Sequence, residues 1–288
     1  MTHPQAGCIA CGRWRPIALA SKAHALHDLI GNAEPTSKSP LQTMKQCSKS
    51  IQRRLADPNF INRYFVGDGI DIGGEPDPLG LYTELFARLK SVRTWDLEDG
   101  DAQSMSGIAD DTYDFVHSSH CLEHLHDPHA GLLNWLRIVK PGGHLIILVP
   151  DEDLYEQGVF PSTFNRDHKW TFTIYKSHSW SSRSINVIDL IRELGPAAET
   201  IRIEQLNATF RFNLLRYDQT LTPIGECAIE FIIRKRTPEE VQAGGRLPRQ
   251  TAQPSPEMRL HYNQYRDDMN VLKESNVRKP PFMNDGEL

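Results

Sequence analysis

Long apolar runs are missing from this chain of 288 residues; the longest near the middle, Leu145 to Val149, is five residues and far too short to span a bilayer. That argues against a membrane-embedded protein. No apolar run follows Met1-Thr2-His3-Pro4, so nothing reads as a secretory leader. Cysteine is sparse: Cys8, Cys11, Cys47, Cys121 and Cys227 are odd in number and scattered, which excludes a disulfide framework and fits reduced thiols in a cytoplasmic setting. Excess positive charge is also missing. A formal net charge of -5 gives no electrostatic reason to expect a membrane surface or nucleic acid as partner. What remains is an ordinary soluble composition, 39% hydrophobic and 24% charged, able to bury a core.

The chain divides into three by pattern. Residues 1–58 read as a helical extension, with helices over Ser21 to Ile30 and Leu41 to Ala56, the second stopped by Asp57-Pro58. Residues 59–236 alternate strands and helices. Strands are expected at Gly69–Ile72, Val92–Asp96, Asp114–His117, His144–Val149, Thr200–Gln205 and Cys227–Arg234. Helices are expected at Leu79–Lys90, with Leu81, Leu85, Phe86 and Leu89 in helical period, at Gly131–Val139, ended by Pro141-Gly142-Gly143, and at Ser184–Leu194. An irregular insertion at about 151–180, rich in aromatics and histidine, suits a lid over an acceptor. Residues 237–288 form a polar extension, where Met258, Tyr262, Tyr265, Met269 and Leu272 share one helical face. The alternation predicts an α/β fold with a doubly wound, mostly parallel sheet and helices on both faces.

Open parallel sheets bind ligands beyond the carboxyl ends of their strands. Polar and glycine residues gather there. The first strand ends in Asp71-Ile72-Gly73-Gly74, two glycines where backbone can turn tightly against a ligand. The second ends at Asp96, whose carboxylate can accept two ribose hydroxyls, with Asp99 as a substitute. Asp101-Ala102-Gln103 then offers a polar group beside a small residue, suited to adenine. The strand at Asp114 runs into Ser118-Ser119-His120.

The run "GIDIGG … WDLEDGDAQSM … DDTYDFVHSSHCLEHLHDPHAGLLNWLRIVKPGGHLIILVP" resembles the core of class I S-adenosylmethionine-dependent methyltransferases, over about residues 67–150. The resemblance implies a Rossmann-like, seven-stranded sheet with S-adenosylmethionine as cofactor. It places Asp71, Gly73 and Gly74 at the methionine end, Asp96 at the ribose, Asp101 and Ala102 at the adenine, and Ser119 with His120 near the sulfonium. Two departures stand out. Glu75-Pro76-Asp77-Pro78 occupies the place of the family's third glycine, and only five residues separate Asp96 from Asp101, too few for the helix the family has there. A dinucleotide-binding oxidoreductase fits worse, because those acidic residues repel a pyrophosphate and the prolines remove amide donors. A sulfonium suits them.

Methyl transfer to a hydroxyl needs a base or an acidifying metal. His120, Glu123 and His124 have i, i+3, i+4 spacing and so share one face of a helix begun at the strand's end. With His168 downstream, the pattern resembles metal-binding small-RNA and quinone-precursor methyltransferases, with histidine in place of the first carboxylate. Glu123, His124 and His168 then either ligate a divalent cation or merely cap and pack. Alternatively His168, oriented by neighbouring Asp167, is a catalytic base. Phe160, Phe164, Trp170 and Phe172 either stack on an acceptor or anchor the loop.

The wording around "VPDEDLYEQGVFPSTFNRDHKW" is similar to methyltransferases of glycan and nucleotide-sugar pathways, which implies a small-molecule acceptor with a saccharide hydroxyl, hence O-methylation. Two other readings stay open: a metal-assisted methyltransferase acting on RNA or a quinone precursor, and an inactive domain that only binds a partner. Homo-oligomerisation is also open. Cys8-x-x-Cys11 with His24 and His27 is a zinc-like set whose His spacing is short.

Overall fold

The computed structural model describes residues 46–247. The zinc-like set, the helix expected over Ser21–Ile30 and the helical face from Met258 to Leu272 lie outside the described residues. The chain's strands, in order, are β1 (Gly67–Ile72), β2 (Leu89–Trp95), β3 (Tyr113–Ser119), β4 (Val139–Pro150), β5 (Thr171–Thr173), β6 (Ser184–Asn186), β7 (Ala198–Leu206) and β8 (Ala228–Lys235). Six of them form one sheet in the order β2-β1-β3-β4-β8-β7. Only β8 runs antiparallel to its neighbours. β5 and β6 pair separately as a short parallel ribbon. The α-helices are α1 (Gln46–Ala56), α2 (Pro128–Ile138), α3 (Val187–Glu193) and α4 (Pro238–Ala243). None of the described helices is long and apolar enough to cross a membrane.

Alternation along the strands builds two cores. Ile70, Ile72, Val116, Leu145, Ile147 and Val149 face α2 and α3, whose Leu132, Trp135, Leu136, Leu190 and Ile191 complete that layer. The opposite face presents Phe115, Ile146 and Ile232 to Cys47 and Ile51 of α1 and to Phe60, Phe65, Leu79 and Phe86. Helices therefore cover both faces, as the sequence predicts. α2 starts where it must: the Asp127 carboxylate accepts from Ala130 N and Pro128 occupies the first turn, where no amide donor is missed.

Among the described residues the sheet has six strands, not the seven implied by resemblance. Residues 96–112, where a further edge strand would lie, are turns, because Asp96, Glu98, Asp99, Asp101 and Gly107 leave too few apolar positions to alternate. The helix expected at Leu79–Lys90 is also wrong. A 3-10 turn runs over Leu79–Leu85, and β2 already begins at Leu89. Leu81 and Leu85, read as a core face, are exposed, while Leu79 and Phe86 are buried. Pro76, Pro78 and the short path back to the sheet leave no room for a second α-turn. Two smaller differences follow the same logic. Pro141-Gly142-Gly143 lies inside β4, not before it, and Ser184–Asn186 is strand ahead of α3.

Candidate active site

β1 and β3 are adjacent, yet the chain leaves one toward β2 and the other toward β4, so their carboxyl ends open a crevice at the reversal of strand order. A cavity of 140 Å³ lies there, closed on one side by Gln46 and Cys47 of α1. Asp71, Gly73, Gly74, Ser119 and His120 all line it. Gly73 has a φ of +71°, and a side chain there would meet Cys121 Cβ at 2.7 Å. A Cβ on Gly74 would lie 2.6 Å from Asp71 Oδ2. Both glycines are thus required by space. Asp71 is buried and fixed: Leu79 N donates to Oδ2 at 2.7 Å, and His117 Nδ1 sits 2.6 Å from Oδ1.

Asp96 faces this glycine turn, its Oδ2 accepting from Glu75 N at 3.1 Å. Asp99, the alternative, accepts from Asp96 N and pairs with Arg93, and these donors hold its carboxyl below the usual range. Asp101 lies outside the cavity lining and caps the next turn through Gln103 N and Ser104 N. Ala102 is pinned by its carbonyl, which accepts from Trp135 Nε1 at 2.8 Å.

Three polar atoms lining the cavity are buried without a hydrogen-bond partner among the described residues: Ser119 Oγ, His120 Nε2 and His117 Nε2. Buried polar groups are rarely left so. A polar ligand fits the vacancy in their bonding, and no Lys or Arg among the described residues lines it, which suits a cation.

A second cluster adjoins the first through His120, whose Nδ1 is 3.3 Å from Glu123 Oε1. The expected helix over residues 120–124 is a single 3-10 turn, Leu122–His124, and His120 adopts a φ of +58°. Glu123, His124 and His168 nevertheless converge, with one ligand atom from each within 4.8 Å of the others. His168 Nδ1 lies 2.8 Å from Glu156 Oε1, and His124 Nδ1 lies 3.1 Å from the Asp167 carbonyl oxygen. Each imidazole is therefore anchored at Nδ1, leaving Nε2 toward the cluster. Burial raises the proton affinity of Glu123, but His120 first, then His168 and His124, outweigh it and hold the carboxyl below its ordinary range. Such a set could bind a divalent cation, and a histidine whose second nitrogen donates to a carboxylate or carbonyl is the usual metal-ligand arrangement.

The orienting partner of His168 is Glu156, not Asp167. A π-helical turn over Glu152–Glu156 brings Glu156 beneath the ring, whereas the exposed Asp167 contributes its backbone. His168 itself is buried. Of the aromatics, Phe172 is wholly inside the core, Trp170 donates to the Leu125 carbonyl, and Phe164 packs on Tyr155 and Arg216. These three anchor the loop. Sequence reasoning missed His117 and Glu156. A histidine two residues before the end of β3 was a usable signal for the first; nothing local marked the second.

Residues 47–188 match a family model described as a methyltransferase domain. The chain carries a methyltransferase domain over these residues. No curated protein matches the chain in sequence. Among solved structures, the methyltransferase resembles a SAM-dependent methyltransferase from Archaeoglobus fulgidus at 15% identity and TM-score 0.42, over 66% of this chain and 93% of that one. It also resembles Haemonchus contortus phosphoethanolamine N-methyltransferase 2, a complex with S-adenosyl-L-methionine, at 17% identity and TM-score 0.41, over 65% and 53%.

Proposed function

We propose that the domain is a class I enzyme that binds S-adenosylmethionine in this cavity and transfers its methyl group to a hydroxyl of a small-molecule acceptor, a saccharide or sugar-containing metabolite. The observation that carries this reading is the Glu123–His124–His168 cluster beside the cofactor cavity. A hydroxyl must lose its proton as it attacks the sulfonium carbon, and a cluster of this kind is what the reaction needs. In this reading Asp71, Gly73 and Gly74 hold the methionine end, Asp96 the ribose, and Asp101 with Ala102 the adenine edge. Ser119 and His120 stand near the sulfonium. His168, its Nδ1 occupied by Glu156, takes the acceptor proton at Nε2. The segment at about 151–180 acts as the lid, tied to the site where Lys169 N donates to the Glu123 carbonyl at 2.9 Å. Residues 1–58 and 237–288 are extensions of the domain spanning 59–236.

The same cluster favours a second reading, with a divalent cation held by Glu123, His124 Nε2 and His168 Nε2. Bound there, the cation would acidify the hydroxyl, as a metal-assisted enzyme acting on RNA ends or a quinone precursor requires. The test is product mass spectrometry with labelled methyl donor against sugar-nucleotide, RNA and quinone-precursor panels, with and without chelator. Label in a sugar hydroxyl, unaffected by chelator and lost in His168→Ala, supports the first reading. Metal-dependent label with salt-sensitive RNA binding supports the second. Cofactor binding by calorimetry without turnover on any panel would leave a binding domain in place of an enzyme.

A further inference from the structure

β3 pairs with β1 in parallel so that His117 stands directly beside Asp71. Both point to the α1 side of the sheet, and both line the cofactor cavity. Asp71 is held at Oδ2 by Leu79 N, so the carboxylate cannot turn away from the ring. Its Oδ1 lies 2.6 Å from His117 Nδ1. A carboxylate at that distance fixes the tautomer with the proton on Nδ1, the one that presents a lone pair at Nε2. The ring is fully buried, and Nε2 has no partner among the described residues. Leaving such an atom unsatisfied is unfavourable, and a ligand with a hydrogen to donate would relieve it.

The amino-acid end of the cofactor carries one donor, the α-ammonium, and one acceptor, the α-carboxylate. A lone pair selects the ammonium. The surroundings agree, since Asp71, Glu75 and Asp77 line the same cavity. We propose that His117, oriented by Asp71, accepts a hydrogen bond from the α-ammonium and so makes the domain selective for cofactors that keep their amino group. The inference rests on S-adenosylmethionine binding in this cavity.

Calorimetry on the full chain tests it with three ligands: S-adenosylhomocysteine, its analogue with the α-amino group replaced by hydrogen, and 5′-methylthioadenosine, which lacks the amino-acid end. The expected result is about tenfold or more preference for S-adenosylhomocysteine over the deamino analogue, equivalent to one charge-assisted hydrogen bond. In His117→Leu that preference collapses, while methylthioadenosine affinity changes less than about twofold. Because this variant leaves Asp71 without its partner and can fold poorly, nitrogen NMR of the wild-type imidazole gives an independent reading. The Nε2 resonance of His117 should move on adding S-adenosylhomocysteine and stay in place with the deamino analogue. Equal affinity for the first two ligands, or a resonance that responds alike to both, overturns the inference while the cofactor reading stands. Binding of none of the three overturns both.

Discussion

Glu230 gives the sharpest test of how the site's supporting face is held. It lies wholly buried on β8, with Arg53 Nη1 at 2.9 Å, Arg202 Nη2 at 2.6 Å and Arg54 Nη2 at 3.3 Å. Burial alone would raise its proton affinity, yet Arg54, Arg53 and Arg202 together bring the carboxyl down to about 2. Against an ordinary value near 4.5, that corresponds to about 3 kcal/mol of stability. The folded state binds the proton less tightly than the unfolded one. This contribution is therefore complete above pH 4.5 and lost as pH falls toward 2. Glu230→Gln removes the charge at every pH. Arg54, fully buried with Nε and Nη1 already unpartnered among the described residues, then stacks on Phe60 and Phe65 without the counter-charge of Glu230. An uncompensated buried guanidinium costs about 3–5 kcal/mol. At pH 7 the variant should lose about that much in urea unfolding, or roughly 10 °C in Tm. Replacing both buried partners, Arg54→Met with Glu230→Met, should cost less than the single change, because Arg53 keeps Glu226 and Arg202 keeps Asp57 and Glu204. A Glu230→Gln protein within about 1 kcal/mol of wild type would refute the reasoning.

Three further outcomes follow from the same geometry. Gly74→Ala should weaken S-adenosylhomocysteine binding about tenfold or more by calorimetry, because its Cβ falls 2.6 Å from Asp71 Oδ2 and must displace the Leu79 hydrogen bond. Gly80→Ala, whose Cβ meets nothing closer than 3.7 Å, should bind as wild type and is the control. Burial, then Arg234 and Arg246, push His144 down to about 4, so it is neutral when folded and protonates first when unfolded. Stability should hold above pH 6.5 and fall by at most about 3 kcal/mol as pH drops from there to 4. A His144→Phe protein should show a shallower slope in urea midpoints over that window; identical slopes would count against it. Finally, the buried Glu152 carboxylate accepts from Thr171, Ser179 and Ser184 hydroxyls and pairs with Lys176 at 2.7 Å. Glu152→Gln should speed amide hydrogen exchange across residues 171–186 more than elsewhere, and uniform exchange would show that this carboxylate does not hold the lid.

Much of the scaffold was legible because local pattern and tertiary role agree. Leu145–Val149 is apolar throughout, as a strand covered on both faces must be, and it lies in the buried carboxyl-terminal half of β4. Gly73-Gly74 after a buried strand could hardly be anything but a turn against its surroundings. Leu79–Lys90 misled, since its apolar spacing fits a helix, and only the return path to β2 decides that Leu81 and Leu85 face solvent.

At the site, residue type and order along the chain singled out Glu123, His124 and His168, because carboxylate and imidazole at strand ends are chemically conspicuous. Which group orients His168 was not written locally. Asp167 is its neighbour in sequence, but a side chain one residue away points elsewhere, and Glu156, 12 residues earlier, reaches the ring through a π-helical turn. The pairing of His117 with Asp71 needed the register of β3 on β1, a contact 46 residues apart that no periodicity reports. Sequence alone determined which chemical groups gather at the strand ends, since backbone period and glycine placement are local properties. Only the tertiary structure decided which of those groups touch, because hydrogen-bond partners are chosen by sheet register and loop path.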